Sequence, residues 1–187
     1  MQIQKFAKLI IDCFENNGKL LLCGNGGSYA DCLHISGELL KTFEIRRKLN
    51  IKLPNGYKDI EKSLEPGFPV IVLGLNPVLN SAFINDCKCC DAIFAQECNV
   101  LCTKNDIVWG ISTSGNSRNV ISALLIAKQK QAKIISFTGN KESVLNKISD
   151  MSIIVRGKNT AEIQENMVRT YHSVCRNIEE CFYEKHN

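Results

Sequence analysis

Five short, continuous apolar runs alternate with longer amphipathic stretches along this chain, and no other feature of the sequence constrains its fold as much. Runs of this kind are typical of strands buried on both faces, which occur in parallel sheets covered by helices. The predicted strands are residues 19–23, 69–75, 106–111, 133–137 and 152–155. Because crossovers between parallel strands are right-handed, this order predicts an α/β fold: a three-layer α/β/α sandwich around a five-stranded parallel sheet, of the flavodoxin-like kind.

Helix-forming sequence separates these strands, and one stretch interrupts the rhythm. Long helices are predicted at residues 28–41, 78–100, 116–130 and 161–183. Residues 42–67 are instead charged and carry the turn-forming sequence Pro54-Asn55-Gly56, which predicts a surface insertion with a short helix near residues 58–64. With 187 residues, the whole chain, 1–187, has the length of a single domain.

Composition and charge argue against several classes of protein. The net charge of +4 comes without a dense basic stripe, and acidic residues soon follow the basic cluster Arg46-Arg47-Lys48. We therefore interpret the cluster as a solvated loop and expect no nucleic acid as a partner. The sequence has neither the apolar core of a signal peptide nor the roughly 20 consecutive apolar residues that span a bilayer. A soluble, cytoplasmic protein that does not associate with membranes is expected.

The expected location decides how the ten cysteines are interpreted. In a reducing compartment, cysteines remain thiols and do not form bridges. Cys87, Cys89 and Cys90, with Cys98 and Cys102 beyond them, match no common paired C-x-x-C zinc pattern. We interpret them as thiols without a metal role.

A glycine-rich loop follows the first predicted strand directly. It consists of Gly24, Asn25, Gly26, Gly27 and Ser28. Glycines allow a sharp turn and a close approach of the backbone to a ligand, and free N–H groups at the start of the next helix favour an anion. The loop is not a dinucleotide fingerprint, because Tyr29 stands where the last glycine is needed. It is either an anion site or a tight turn without a ligand.

A hydroxyl-rich loop follows the third predicted strand and has the spacing of a Walker A motif. It consists of Gly110, Ile111, Ser112, Thr113, Ser114, Gly115, Asn116 and Ser117. Asn116 stands where that motif needs lysine, which argues against a nucleoside triphosphate. Backbone N–H groups and four hydroxyls at a helix N-terminus suit one phosphate monoester. Helix capping would explain one hydroxyl and not four, so a phosphate site is favoured.

Two of the three histidines lie where metal binding or acid–base chemistry is plausible. His34 and Glu38 are four residues apart in a predicted helix, so they share one face. Such a pair binds a divalent metal, divides acid and base roles, or is only a pair on the helix surface. Gln164 and His172 lie on the last predicted helix with about 12 Å between their Cα atoms, so both reach one ion only by stretching toward each other. His186, in the polar tail, is assigned no role.

Together and in this order, these motifs resemble the sugar isomerase (SIS) domain and, more narrowly, the phosphoheptose isomerases. The resemblance runs through nearly the whole chain. The residues that carry it are 23–28, Asp31, His34, Glu38, Asn85, Asp86, 110–117, 163–165 and His172.

The resemblance implies an aldose–ketose isomerase of bacterial heptose synthesis, which converts sedoheptulose 7-phosphate to D-glycero-D-manno-heptose 7-phosphate through an enediol. It implies a zinc ion, with the ligands His34, Glu38, Gln164 and His172. It also implies that Glu38 and His172 are the catalytic acid–base pair. The substrate contacts that it implies are Asn25, Gly26, Gly27, Ser28, Glu38, Asn85, Asp86, Ser112, Thr113, Ser114, Ser117 and Gln164.

The same resemblance implies a homo-oligomer, a tetramer with its sites at subunit interfaces. An additional N-terminal helix usually helps to build that tetramer, and this sequence is expected to lack it. Two alternatives stay open: the same domain acting on another sugar phosphate, such as a pentose or amino-sugar phosphate, and a non-catalytic SIS-domain regulator that binds the replication initiator. The joint presence of the four implied zinc ligands favours an enzyme, because a binding module has no need of that set.

Overall fold

One parallel sheet organises the structure, a computed structural model that describes residues 1–87 and 89–183. Its strands follow the order β2-β1-β3-β4-β5, and every pairing between neighbours is parallel. The strands are β1 (Leu20–Cys23), β2 (Val70–Val72), β3 (Ile107–Ser112), β4 (Lys133–Thr138) and β5 (Met151–Ile154). The predicted five-stranded parallel sheet is confirmed, and its order is the flavodoxin-like one.

Helices cover both faces of the sheet and complete the predicted three layers. They are α1 (Gln2–Glu15), α2 (Gly27–Leu40), α3 (Lys58–Ser63), α4 (Pro77–Asp86), α5 (Ile93–Leu101), α6 (Arg118–Gln129), α7 (Val144–Ile148) and α8 (Thr160–Tyr183). One core lies between the sheet and α1, α2 and α8, and a second lies between the opposite face and α5 and α6. Across the described residues, none of the helices has the length and apolar character needed to cross a membrane.

Aromatic side chains fill the centre of the first core. Trp109 on β3 is fully buried, and its ring centroid lies 4.7 Å from that of Phe137 on β4. Phe6 on α1 packs on both rings, with centroid distances of 5.0 and 5.1 Å. Helix α1 was not predicted, although residues 6, 7, 10 and 11 are buried with a helical period.

The prediction of one continuous helix at residues 78–100 is wrong. The chain leaves the helical conformation at Cys87, which has extended backbone angles (φ −102°, ψ 138°), and a 3₁₀ turn at Cys90–Ala92 precedes α5. The two helices have different environments: α4 has no buried residue, whereas α5 buries Phe94 and Cys98. The sequence keeps a helical period through the break, but only α5 packs against a core.

The strand order creates a crevice between two loops. Strand β2 lies on one side of β1, and β3, the next strand along the chain, lies on the other side of β1. Such a reversal is a topological switch point, and ligands of open α/β sheets bind outside the carboxyl ends of the strands there. The glycine-rich loop after β1 and the hydroxyl-rich loop after β3 therefore border the same crevice.

The segment between α2 and β2 is anchored to α8 by one buried carboxylate. Glu179 is 2% exposed and accepts hydrogen bonds of 2.7–2.9 Å from the backbone N–H groups of residues 43–45. Its carboxylate also pairs with Arg47, whose guanidinium lies 3.9 Å from the centroid of the Tyr183 ring. The interpretation of the basic cluster as a solvated loop is thus wrong for Arg47, because its side chain is only 8% exposed.

We expect Glu179→Gln to lower the free energy of unfolding by about 3 kcal/mol at neutral pH, because it leaves Arg47 buried without a charged partner. Burial alone would raise the pKa of Glu179, but the backbone N–H groups and Arg47 outweigh it and lower the pKa. The stabilisation is therefore present above the unfolded-state pKa and is lost as pH falls through the folded-state pKa. Urea titrations at neutral and acidic pH measure both effects.

The control is Glu165→Gln, at an exposed position of the same helix. It should change stability by no more than about 0.5 kcal/mol. Equal stability of the Glu179 and Glu165 variants at neutral pH would contradict the anchoring role.

Candidate functional site

Two amide side chains join the loops that border the crevice. Asn25, in the glycine-rich loop, and Asn119, in the first turn of α6, exchange two hydrogen bonds of 2.8 Å each. The strands that lead into the loops are direct neighbours, with Cys23 paired to Gly110. The structure thus brings the two loops singled out in the sequence into one site.

The glycine-rich loop has the backbone shape that its composition predicted. Gly26 is the N-cap residue of α2 and has a φ of +51°, which disfavours residues with a side chain. A Cβ atom at Gly27 would lie 2.1 Å from the Gln164 side chain, so no larger residue fits there without displacing it. Ser28 is buried in the first turn of α2. The loop therefore holds its N–H groups close to the crevice.

The hydroxyl-rich loop gathers three serine side chains. Ser112 is 4% exposed, and its Oγ lies 2.9 Å from Ser117 Oγ and 3.2 Å from Ser114 Oγ. Thr113 is half-buried, and its carbonyl oxygen accepts a hydrogen bond from Gly139. Ser117 is the N-cap residue of α6, but among the described residues its hydroxyl makes no capping hydrogen bond. The start of α6 thus lacks a side-chain cap from Ser117, and three hydroxyls that can donate to an anion lie beside it.

Two side chains of α2 meet one side chain of α8 that is distant in the sequence. His34 Nε2 lies 3.0 Å from Glu38 Oε1 and 3.4 Å from His172 Nε2. One ligand atom from each residue lies within 4.8 Å of the other two. His34 and Glu38 come from one face of α2, as their spacing predicted, and α8 supplies His172. The group has the composition of a three-residue metal site with two imidazoles and one carboxylate.

The surroundings of His172 favour its neutral form. Burial lowers the pKa of His172 below its ordinary value, and the neighbouring His34 lowers it further. The Phe43 ring covers His172, with ring centroids 5.4 Å apart. A neutral imidazole is the form that binds metal or accepts a proton near neutral pH.

Gln164 and His172 contact different parts of α2. Helices α2 and α8 run side by side in the same direction, with Gln164 against Gly27 and His172 against His34. Gln164 and His172 are eight residues apart on α8, which corresponds to about 12 Å along the helix axis. Within one chain, Gln164 therefore lies at the glycine-rich loop.

Asn85 and Asp86 occupy the exposed C-terminal end of α4. The Asn85 side-chain amide donates to Asp86 Oδ1 at 2.9 Å. The preceding residue, Ile84, lines a cavity of about 440 Å³ together with Asn25 and Asn119. Asn85 and Asp86 thus come directly after a residue that lines the crevice.

Sequence reasoning assigned no site role to Asn119, Tyr171 or Asp31. The Tyr171 hydroxyl lies 2.7 Å from His34 Nδ1, and burial raises the pKa of Tyr171. Burial also raises the pKa of Asp31, to about 6. Position gave the only signal for Asn119, two residues after Ser117, and for Tyr171, next to His172. Asp31 lies one turn before His34 and was also among the residues that carry the family resemblance. His186 lies outside the described residues.

Comparisons with known proteins agree with this architecture. Two family models, both described as SIS domain, match residues 91–175 and residues 1–65. The phosphoheptose isomerase of Crocosphaera subtropica is 36% identical over 92% of this chain and 78% of its own length. That of Helicobacter pylori strain 26695 is 34% identical over 98% of this chain and 85% of its own length.

Solved structures give the same result. A phosphoheptose isomerase from Neisseria gonorrhoeae superposes with a TM-score of 0.77 at 30% identity. One from Francisella tularensis superposes with a TM-score of 0.81 at 31% identity. Each superposition covers 96% of this chain and 85% of the solved chain.

The parallel sheet and the two loops at its switch point, together with the matching models, define an SIS-domain protein. Its identity to curated relatives exceeds 30% over more than three quarters of their length. The chain belongs to the phosphoheptose isomerase family.

We expect Gly115→Ala to destabilise the protein by at least about 1 kcal/mol. Gly115 has a φ of +64°, and an added Cβ would lie 2.0 Å from Ser143 Oγ. Gly37→Ala is the control, because nothing lies within 4 Å of a Cβ at this helical position. The control should gain about 0.5–1 kcal/mol. Thermal unfolding of both variants measures the difference, and wild-type stability of the Gly115 variant would refute the expectation.

Proposed function

We propose that this chain isomerises sedoheptulose 7-phosphate to D-glycero-D-manno-heptose 7-phosphate, a step of heptose biosynthesis. The observation that carries the proposal is the meeting of Glu38 and His172 with His34, all within 4.8 Å, on two helices that also meet at the glycine-rich loop. Membership of the phosphoheptose isomerase family supports the same reaction.

The phosphate group is assigned to the hydroxyl-rich loop. Neutral donors at a helix N-terminus hold an anion without a counter-charge. The gathered hydroxyls of Ser112, Ser114 and Ser117, beside the uncapped start of α6, support this assignment. Thr113 completes the proposed cradle. The phosphate would fix one end of the sugar and leave its carbonyl end to the other residues.

The acid–base work is assigned to Glu38 and His172. Isomerisation removes a proton from C1 of the ketose while the C2 oxygen gains one, which gives an enediol. The enediol then gains a proton at C2 and loses the proton of its C1 hydroxyl group, so that C1 becomes the aldehyde. One group must act on carbon and the other on oxygen, so both must reach adjacent atoms. The two side chains are close enough to do so, and the lowered pKa of His172 supplies a neutral imidazole.

The three clustered side chains also fit zinc. Tetrahedral zinc with ligand distances of about 2.0–2.2 Å separates its ligand atoms by about 3.3 Å, close to the 3.0 and 3.4 Å contacts of His34. His34, Glu38 and His172 would hold the ion. A bound zinc ion would polarise the substrate carbonyl and stabilise negative charge on its oxygen.

The remaining residues are assigned to the sugar and to assembly. We propose that the glycine-rich loop, Asn85, Asp86 and Gln164 contact the sugar hydroxyl groups. Because Gln164 lies beside Gly27 in one chain, we propose that zinc ligation by Gln164 comes from a neighbouring subunit of a homotetramer. We propose a cytoplasmic location for this assembly.

The decisive experiment incubates the purified protein with sedoheptulose 7-phosphate and identifies the product by NMR. Pentulose and amino-sugar phosphates, tested in parallel, separate this substrate from others of the same class. Absence of turnover with every sugar phosphate, in protein loaded with zinc, would leave the non-catalytic regulator as the better account.

Glu38→Gln and His172→Ala should each lower kcat by about 100-fold or more, since each removes an acid–base group. Binding of the sugar phosphate should remain measurable by calorimetry, because neither residue belongs to the phosphate loop. Glu15→Gln, at the exposed end of α1, is the matched control and should retain full kcat. Full activity of either site variant would refute the assignment.

Ser117→Ala should raise KM for the phosphorylated substrate by about tenfold, since a hydrogen bond to a charged group contributes about 1.5–3 kcal/mol. Ser122→Ala, one turn further along α6, should leave KM unchanged, because its hydroxyl bonds to the Arg118 carbonyl. Steady-state kinetics measures both. An unchanged KM for the Ser117 variant would contradict the assignment of the phosphate group to this loop.

A further inference from the structure

Two buried polar side chains lie behind His34, on the side away from Glu38 and His172. The Tyr171 hydroxyl lies 2.7 Å from His34 Nδ1, and Tyr171 is 1% exposed. Asp31, one turn before His34 on α2, is 7% exposed, and its carboxyl group lies near the same hydroxyl without a hydrogen bond to it. Among the described residues, Asp31 Oδ2 has no hydrogen-bond partner. A buried carboxylate in this position needs a donor.

The Tyr171 hydroxyl has one proton and two neighbours that compete for it. If the hydroxyl donates to His34 Nδ1, then Asp31 receives no proton and the His34 proton lies on Nε2. If the hydroxyl donates to Asp31, its oxygen accepts the proton of His34 Nδ1, and Nε2 keeps a free lone pair. In the second arrangement Glu38 loses the His34 proton, but its side chain is 22% exposed and can be hydrated, whereas Asp31 is 7% exposed. Leaving the more deeply buried carboxylate without a donor costs more. The second arrangement is therefore favoured.

We propose that Tyr171, backed by Asp31, is a positioning residue that fixes the tautomer of His34 and leaves its Nε2 lone pair facing Glu38 and His172. The inference rests on the proposed function, in which His34 is a metal ligand. Metal-binding histidines generally donate their second N–H to a partner that orients the ring and raises its basicity. Here the Tyr171 hydroxyl accepts the proton of His34, and Asp31 in turn accepts the proton of Tyr171.

The packing makes a conservative test possible. The rings of Tyr171 and His34 meet edge to face with centroids 5.3 Å apart, and those of Tyr171 and His172 with centroids 5.0 Å apart. Tyr171→Phe keeps both ring contacts and removes only the hydroxyl. Tyr29→Phe is the matched control, because Tyr29 also has a buried hydroxyl, which makes no hydrogen bond within the described chain.

The first measurement is zinc affinity, determined by competition with a chromophoric chelator in the absence of substrate. Tyr171→Phe should bind zinc about 10- to 100-fold more weakly than the wild type, as expected for loss of a partner that orients a ligand. Tyr29→Phe should bind as the wild type does. Wild-type affinity of the Tyr171 variant would overturn the proposal but leave the proposed zinc site intact. A wild-type protein that binds no zinc would overturn both.

The second measurement tests whether Asp31 acts through Tyr171. Asp31→Asn should weaken zinc binding in the wild-type background and cause no further loss in the Tyr171→Phe background. An equal loss in both backgrounds would show that Asp31 acts by another route and would overturn the proposed chain of contacts. Circular dichroism checks that each variant is folded.

The third measurement observes the tautomer directly. The chain has three histidines, so ¹⁵N-histidine NMR spectra of the zinc-free protein can be assigned by substitution. At about pH 8, where imidazole is neutral, His34 should carry its proton on Nδ1 in the wild type. Tyr171→Phe should shift the population toward Nε2–H. A wild-type His34 protonated on Nε2 would overturn the proposal, whatever the zinc affinities are.

Discussion

Helix α8 lies against α2 with a register on which three features of this layer depend. At one end Gln164 contacts Gly27, in the middle His172 meets His34, and beyond α2 the Glu179 carboxylate binds the backbone of residues 43–45. One helical turn is about 5.4 Å, so a slip by a single turn would separate the two imidazoles and unfasten the anchored segment together. The apolar side of α8, which is buried against α1, α2 and the sheet, holds this register.

Two buried carboxylates in this layer show how local donors decide the role of an acid. Glu179 receives three backbone N–H groups and the Arg47 guanidinium, and its pKa is lowered. Asp31 has a similar burial but only the Tyr171 hydroxyl and the nearby His34 to oppose it, and its pKa is raised to about 6. The first carboxylate is fully satisfied and holds the fold together. The second has an oxygen without a hydrogen-bond donor, and it lies near the Tyr171 hydroxyl that contacts His34.

The fold separates binding from chemistry. The loops after β1 and β3 present backbone N–H groups and hydroxyls, and the amide pair of Asn25 and Asn119 fixes their distance. The proposed acid and base come instead from the sides of α2 and α8, where buried neighbours orient them. A phosphate held at the loops would thus bring a flexible sugar to a rigid pair of groups, which lowers the entropic cost of aligning its reactive carbons.

The sequence by itself determined the strands, the two loops and the pairing of His34 with Glu38. These features depend on hydrophobic period, turn chemistry and helical spacing, which operate over a few neighbouring residues. The family resemblance implied that His172 joins that pair, and the tertiary structure brings the three side chains together. Only the tertiary structure decided that Tyr171 lies behind His34 and that the predicted helix at residues 78–100 breaks at Cys87. Such features depend on which surfaces of distant elements are buried together. Local sequence patterns do not specify how distant elements pack on one another.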